Sequence, residues 1–312
     1  MKAKKLLLII FFNLIIIVAE IVFGFISNSF ALIADALHNT GDVIAIIITF
    51  IALKLGSANS SFKYTFGFLK AEMMAAFTNT LFLFLTMFYM IYEAINRLFN
   101  PEVIEPLYMI VVGTIAVVAN GISAYILNNM GVDHCSSHEH SHHQHEDANI
   151  KSAYLHMLSD ALISVGVVVA GIFIYYFKIY YIDSILTVIF SFYILSHSYP
   201  LLKKSFLSLM DVNIVDISEQ KLNEIILNSS SEVLNYYHLH INKPSSKHNF
   251  ISFHLILKRS NITLKEFESV VEAIRENLES IGFNHIIIQP HCEQNYEVKL
   301  NCDLNTKVDP HE

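Results

Sequence analysis

Through the first two thirds of the chain, apolar residues run in long blocks broken by short polar stretches. A helix needs ~20 mostly apolar residues to cross the hydrocarbon core of a bilayer. Six stretches meet that requirement, at roughly 6–26, 30–54, 72–96, 107–128, 152–177 and 180–201. Six crossings return the chain to the side on which it began. Beyond Phe206-Leu207-Ser208-Leu209-Met210-Asp211 the pattern changes. Residues 218–228 keep a helical period, and Val233 to Ile241 and Phe250 to Leu257 are β-rich runs joined by a polar, proline-containing turn. Thr263 with Glu266 forms a capping box ahead of one apolar stripe, Leu264, Phe267, Val270, Val271, Ile274, Leu278 and Ile281, which stops at Gly282. His285 to Gln289 reads as a third strand.

Composition supports a membrane protein. Of 312 residues, 54% are hydrophobic and only 15% charged, with a mean hydropathy of +0.47, which excludes a soluble monomer. A net charge of -8 and a sequence pI ≈ 6.0, with no basic stripe, argue against nucleic acid as a partner. Cys135, Cys292 and Cys302 have no disulfide or CxxC spacing, as expected of reduced thiols facing a cytosol. Met1-Lys2-Ala3-Lys4-Lys5 before an apolar run could open a signal peptide. That run is too long and lacks a small-residue cleavage site, so it reads as a retained first helix. Lys2, Lys4, Lys5, Lys54, Lys63, Lys70, Lys151, Lys203 and Lys204 fall on the side of the N-terminus, against Arg97 and Lys178 on the other. The positive-inside rule then places both termini in the cytoplasm.

The expected fold class is an all-α, six-helix transmembrane bundle followed by a cytoplasmic α+β domain. The α-β-β-α-β order suggests a ferredoxin-like two-layer arrangement with helices on one face of the sheet. Expected boundaries are 1–211 for the membrane domain, 212–294 for the cytoplasmic domain and 295–312 for a flexible tail. The orientation also makes 131–149 a cytoplasmic loop. It carries His134, His138, His140, His142, His143 and His145 beside Cys135, from a chain total of 16 histidines. With nothing apolar to bury it should be mobile, and should hold zinc, copper or nickel weakly, buffering metal rather than transporting it.

Ionisable groups at membrane depth are costly unless they face a cavity, a partner or an ion. The second stretch contains Asp35, His38 and Asp42, and the fifth contains His156 and Asp160. His38 and Asp42 are spaced i, i+4, as are His156 and Asp160, so each pair lies on one helical face. A single such pair could merely hydrogen-bond to itself. Two pairs on facing helices present two imidazole nitrogens and two carboxylate oxygens, a set that suits tetrahedral zinc. An intramembrane zinc peptidase would need His-Glu-x-x-His, which is absent, and no phosphate-binding loop supports an ATP-driven pump. No nucleophile, base and oxyanion-stabilising set is evident, so the chain does not read as an enzyme.

Ser29 to Asp42, then Tyr64-Thr65-Phe66-Gly67-Phe68-Leu69-Lys70-Ala71-Glu72, then His156-Met157-Leu158-Ser159-Asp160 together resemble the cation diffusion facilitator family of metal/proton antiporters. The similarity spans nearly the whole chain. It implies that His38, Asp42, His156 and Asp160 coordinate a transported ion, and that His-x-x-x-Asp in both spans belongs to the zinc-preferring branch. Members with Asp-x-x-x-Asp in both spans are associated with manganese. Some relatives carry a further metal site near the Phe-Gly motif. Here that stretch offers no His or Asp, so this loop site is expected to be absent, leaving Lys70 and Glu72 as ion-pair partners. The resemblance also implies a homodimer whose cytoplasmic domain senses metal. His240, His254 and His285 fall at positions resembling the family's His-containing strands, and His238, His291, Cys292 and Cys302 are further candidates. His238 and His240 should share a strand face by alternation, although packing or surface histidines are the commoner use of any one of them.

Asp35 reads either as an outer partner of His38 or as a local backbone cap. Glu20, Asn13, Asn79, Glu93, Asn120 and Asp183 read mostly as interhelical hydrogen-bonders. The expected function is export of Zn²⁺, with Cd²⁺ and Co²⁺ as further candidates, in exchange for protons across a bacterial plasma membrane. The competing reading is a membrane metal sensor that does not transport.

Overall fold

The computed structural model describes residues 2–56, 60–132, 144–259 and 261–291. The apolar runs fold as α1 (Lys2–Ser27), α2 (Phe30–Gly56), α3 (Ala71–Phe99), α4 (Pro106–Val132), α5 (Gln144–Phe177) and α6 (Tyr181–Leu209). Among the described residues four stretches are long and apolar enough to cross a bilayer: Ala71–Phe99, Pro106–Ile126, Tyr154–Phe177 and Tyr181–Leu209. The helices run past their expected limits, α5 and α6 furthest. α5 begins at Gln144 rather than near 152, so part of the polar segment expected to be an open loop is helical. α6 continues through Pro200 to Leu209, although a proline offers no backbone N–H to the preceding turn.

The chain divides into two compact units, residues 1–47 with 78–200 and residues 48–77 with 201–312. Burial in the first is the inverse of a soluble protein's. Phe82, Leu85, Phe88 and Tyr92 are exposed, whereas Glu20, Asp35, Asp160 and Asp183 are each at most 2% exposed. An apolar outer face costs nothing against lipid, and inward polar groups must then find partners. α4 and α5 lie close together. A β-carbon on Gly113 would come within 2.8 Å of Val168 Cγ2, and one on Gly171 within 2.9 Å of Ile110 Cγ1. Glycine permits that approach. Met109, Val112, Ile163, Val167 and Ile174 fill the interface, joined by Ala31 and Leu32 of α2.

Asp183, expected to be an interhelical hydrogen-bonder, fixes the start of α2. Its carboxylate accepts from Ser29 Oγ (2.5 Å), Phe30 N (2.9 Å) and Ala31 N (3.3 Å). The first amides of a helix have no intrahelical acceptor, and a negative group there also meets the positive end of the dipole. Asp183→Ala leaves three buried donors unmatched. It should cost about 3 kcal/mol, read as a lower melting temperature of the detergent-purified protein.

In the second unit α7 (Glu219–Asn228), β1 (Val233–Asn242), β2 (Phe250–Leu257), α8 (Leu264–Ser280) and β3 (His285–His291) follow in that order. Ser218 caps α7, and the Thr263/Glu266 capping box starts α8. The sheet order is β1-β2-β3, with β1 antiparallel and β3 parallel to β2. A parallel pair needs a crossover, which α8 supplies. Leu222 and Ile226 of α7 and Val270, Ile274 and Leu278 of α8 pack with Tyr236, Ile251, Phe253 and Leu255. Residues of opposite strand parity, Tyr237, Ser252 and His254, pack outside this core and share the other face. Lys70 Nζ pairs with Asp211 Oδ1 at 2.7 Å, while Glu72 Oε2 accepts from Ser246 N and Oγ and has no ion-pair partner among the described residues. Both members of the Lys70–Asp211 pair are about half exposed, so it contributes under ~1 kcal/mol.

Candidate metal-transport site

The four residues singled out at membrane depth meet in the first unit. His156 Nε2 lies 3.0 Å from Asp42 Oδ2 and 3.6 Å from Asp160 Oδ2. His38 Nε2 lies 3.7 Å from Asp42 Oδ2 and 3.8 Å from Asp160 Oδ1. Each imidazole nitrogen therefore faces both carboxylates, one on its own helix and one across from it. The two rings stand edge to face with centroids 6.0 Å apart. Ligand atoms of His38, Asp42 and His156 all lie within 4.8 Å of one another. Asp160 falls outside that group of three; four ligands at ~2.0–2.1 Å from a tetrahedral zinc would stand roughly 3.3 Å apart.

Access is one-sided. The His38 and Asp160 side chains are 6% and 3% exposed, whereas those of His156 and Asp42 are 32% and 35% exposed. A cavity of about 90 Å³ reaches Asp42, His156 and Asp160, walled also by Asn13, Asn39, Asn120 and Met157. Ile16, Ile17 and Val43 make much of the wall apolar, and the asparagines with the three site residues offer the polar partners a water would need. Asn13 donates to Met157 Sδ at 3.8 Å, and Asn79 donates to the Gly41 carbonyl at 3.2 Å, tying α3 to α2 beside the site.

Asp35 fills neither expected role. It accepts from Ser164 Oγ at 3.2 Å and from Asn39 Nδ2 at 3.5 Å, while His38 Nδ1 is buried with no hydrogen-bond partner. The sequence reading missed His197 of α6. It lies within electrostatic reach of Asp42 and Asp160 and stacks on Tyr193 with centroids 6.2 Å apart. A lone histidine inside an apolar run was the available signal, but it has no carboxylate four residues away.

The cytoplasmic histidines are placed only partly as expected. His240 and His254 come together with His238. The His238 ring stacks on His254 at 4.8 Å and meets His240 at 5.0 Å, and His291 lies 6.3 Å from His254. His285 is not part of this group; it packs on Phe250 (4.5 Å) and Phe66 (6.3 Å), since β3 pairs it with Phe250 rather than with His254. His238 and His240 do not meet by simple alternation. The register shifts between Tyr237 and His240, and His238 has φ 57, so an extra residue turns the strand. The Tyr237 hydroxyl lies 3.2 Å from His254 Nδ1.

Burial and then the neighbouring His238 lower the His240 and His254 pKa values from their ordinary 6.5, with His291 adding to the effect at His254. The neutral, metal-binding form is thereby favoured. The folded domain takes up these protons less readily than the unfolded chain, so the stability they contribute is present above about pH 6.5 and is lost as pH falls through their folded values. Corrected hydrogen-exchange protection of β1 and β2 in the full chain should drop on acidification, and His254→Gln should flatten that drop. His134, His138, His140, His142, His143, Cys135, Cys292, Cys302 and the expected tail lie outside the described residues. His145 lies on the first turn of α5.

A membrane unit with two His-x-x-x-Asp pairs around one centre, followed by a small α+β unit, defines a metal-cation transporter class. Residues 6–210 match the profile described as Cation efflux transmembrane domain, and residues 214–291 match Cation efflux protein, cytoplasmic domain. The chain is 31% identical to the cadmium, cobalt and zinc/H(+)-K(+) antiporter of Bacillus subtilis (strain 168), covering 96% of this chain and 93% of that protein. It is 30% identical to the zinc transporter ZitB of Pectobacterium atrosepticum, over 77% of this chain and 71% of the other. The metal cation efflux system protein CzcD of Cupriavidus metallidurans is 30% identical over 89% and 84%. The protein belongs to the cation diffusion facilitator family of cation efflux proteins.

Proposed function

We propose that the protein is a secondary transporter that exports Zn²⁺, with Cd²⁺ and Co²⁺ as further substrates, from the cytoplasm in exchange for protons. The observation that carries this is the alternation of two imidazoles and two carboxylates around one centre. Two neutral imidazoles and two carboxylates balance the charge of Zn²⁺, which a low-dielectric interior tolerates. Without the ion, two negative charges remain. Protons are then the natural replacement, because zinc ligands must be deprotonated to bind. The relatives named as zinc transporter, or as cadmium, cobalt and zinc antiporter, support the substrate and the exchange.

Six crossings with both termini in the cytoplasm put Asp42 and His156, the more exposed pair, toward the cytoplasmic side. Exposure there, with His38 and Asp160 covered, supports an inward-facing state, and rocking of helices would expose the site to the other side. The membrane domain is assigned to 1–211 and the cytoplasmic domain to 212–294. The cytoplasmic domain makes a homodimer in a bacterial plasma membrane, and His240 and His254, with His238 and His291, bind a regulatory ion.

Proteoliposomes loaded with a zinc dye test this. An acidic lumen should drive zinc inward through protein inserted with its cytoplasmic side outward, with the lumen becoming alkaline as zinc enters. A non-transporting sensor would bind zinc and leave the lumen empty. A K⁺ gradient in the same vesicles reads whether K⁺ joins the exchange.

A further inference from the structure

Behind the metal site the membrane unit buries two more carboxyl groups. Glu20 of α1 is fully buried and Asp35 of α2 is 1% exposed. Asn39 Nδ2 bridges them, donating to Glu20 Oε2 at 3.2 Å and to Asp35 Oδ1 at 3.5 Å. Ser164 Oγ contacts the other Asp35 oxygen at 3.2 Å and the Asp160 backbone carbonyl at 3.0 Å, which leads from the pair to a residue of the metal site. Glu20 Oε1 is buried with no hydrogen-bond partner at all.

While Asp160 carries its charge and no metal is bound, the surroundings of the pair disfavour its ionised form. Asp35 and Asp160 both act on Glu20, and Asp160 acts on Asp35. Among the described residues, no lysine, arginine or histidine pairs with either carboxylate. α2 contributes His38 farther along the helix, α5 contributes Asp160, and α4, which also packs near α1, has no charged residue in its sequence. Beside the Asp160 carboxylate, two further buried negative charges with no basic partner of their own would each cost several kcal/mol. A carboxyl oxygen with nothing to accept from, inside a fully buried side chain, is where a proton belongs. One amide nitrogen spread over two carboxyl groups supplies part of the hydrogen bonding, and an O–H supplies the rest.

We propose that Glu20 and Asp35, bridged by Asn39, form a second proton-binding site of the exchanger, distinct from the four metal-site side chains and tied to them through Ser164. This rests on the transport reading and adds to it the place where further exchanged protons reside. When Zn²⁺ settles on Asp160 its charge reverses the local field, and the pair releases H⁺, leaving each O–H electron pair on its carboxylate oxygen. The proton passes to water in the cavity whose wall includes Asn39 and Asp160. When zinc leaves, the negative charge of Asp160 returns and the pair takes H⁺ back. The pair offers zinc no imidazole or thiolate, so the neighbouring centre with two imidazoles is the stronger zinc site.

Protons released per bound zinc can be counted by titration calorimetry of the full chain in two buffers of different ionisation enthalpy. Glu20→Gln should release about one proton fewer per zinc than wild type, with the same number of zinc ions bound. Glu20→Asp should restore the wild-type count, and Asp35→Asn should lower it independently. A structural role alone would change affinity and leave the count unchanged, and an unchanged count in both Glu20→Gln and Asp35→Asn overturns the proposal. So does a loss of K⁺ dependence with the proton count intact, which would make the pair a potassium site. If wild type bound zinc and released protons yet failed to load vesicles, the transport reading would fall while the comparison of counts still stood.

Discussion

Asp42→Asn and Asp160→Asn should each reduce zinc-for-proton exchange in vesicles to the level of empty liposomes. Each carboxylate faces both imidazoles, at 3.0 and 3.7 Å for Asp42 and at 3.6 and 3.8 Å for Asp160. Replacing either by an amide removes one ligand charge, so a bound Zn²⁺ would leave an unbalanced positive charge in a low-dielectric interior. Losing an outer-shell partner of a metal site costs ~10–100-fold; losing a charged ligand should cost more. Exchange has a second reason to fail. An amide cannot carry the returning proton, so even residual zinc binding would be uncoupled from the pH gradient. Simultaneous zinc and lumenal-pH traces check this, and robust coupled uptake in either variant would count against the site.

His38→Asp should change which metal is moved. The substitution converts two nitrogens and two oxygens into one nitrogen and three oxygens, all on the same helical faces. Carboxylate oxygens suit Mn²⁺ and Mg²⁺, whereas imidazole suits zinc, copper and nickel. The site would also gain a negative charge at a side chain only 6% exposed, which favours a divalent ion with a looser shell over an empty site. Zinc turnover should fall about tenfold or more, and the ratio of manganese to zinc flux should rise. A panel of divalent ions run side by side with wild type measures this. An unchanged ratio would mean that His38 does not contact the ion.

The parts of the molecule visible in its sequence are those set by local spacing. Four residues separate His38 from Asp42 and His156 from Asp160, and a helix turns that spacing into one face. The Thr263/Glu266 box likewise fixed where α8 begins, and Phe250 to Leu257 is β2 as expected. Features set by tertiary contact were not legible. Asp35, three residues from His38, left an outer partner of His38 and a local backbone cap equally open, and Ser164 and Asn39 hold it instead. Strand alternation grouped His238 with His240 but could not foresee the bulge that stacks His238 on His254, nor that parallel pairing sets His285 against Phe250. The uneven exposure of the four site residues depends on how the helices tilt, which no spacing encodes.

Equilibrium binding of zinc to His38→Ala, His156→Ala and the double variant, each compared with wild type, tests most directly whether the four groups hold one ion jointly. Histidines elsewhere in the chain remain as a constant background in every sample. Each single substitution should remove the same one zinc per chain, and the double variant should remove no more. If each single variant lost a different ion, so that the two losses added, His38 with Asp42 and His156 with Asp160 would be separate sites and the shared transport centre would be contradicted.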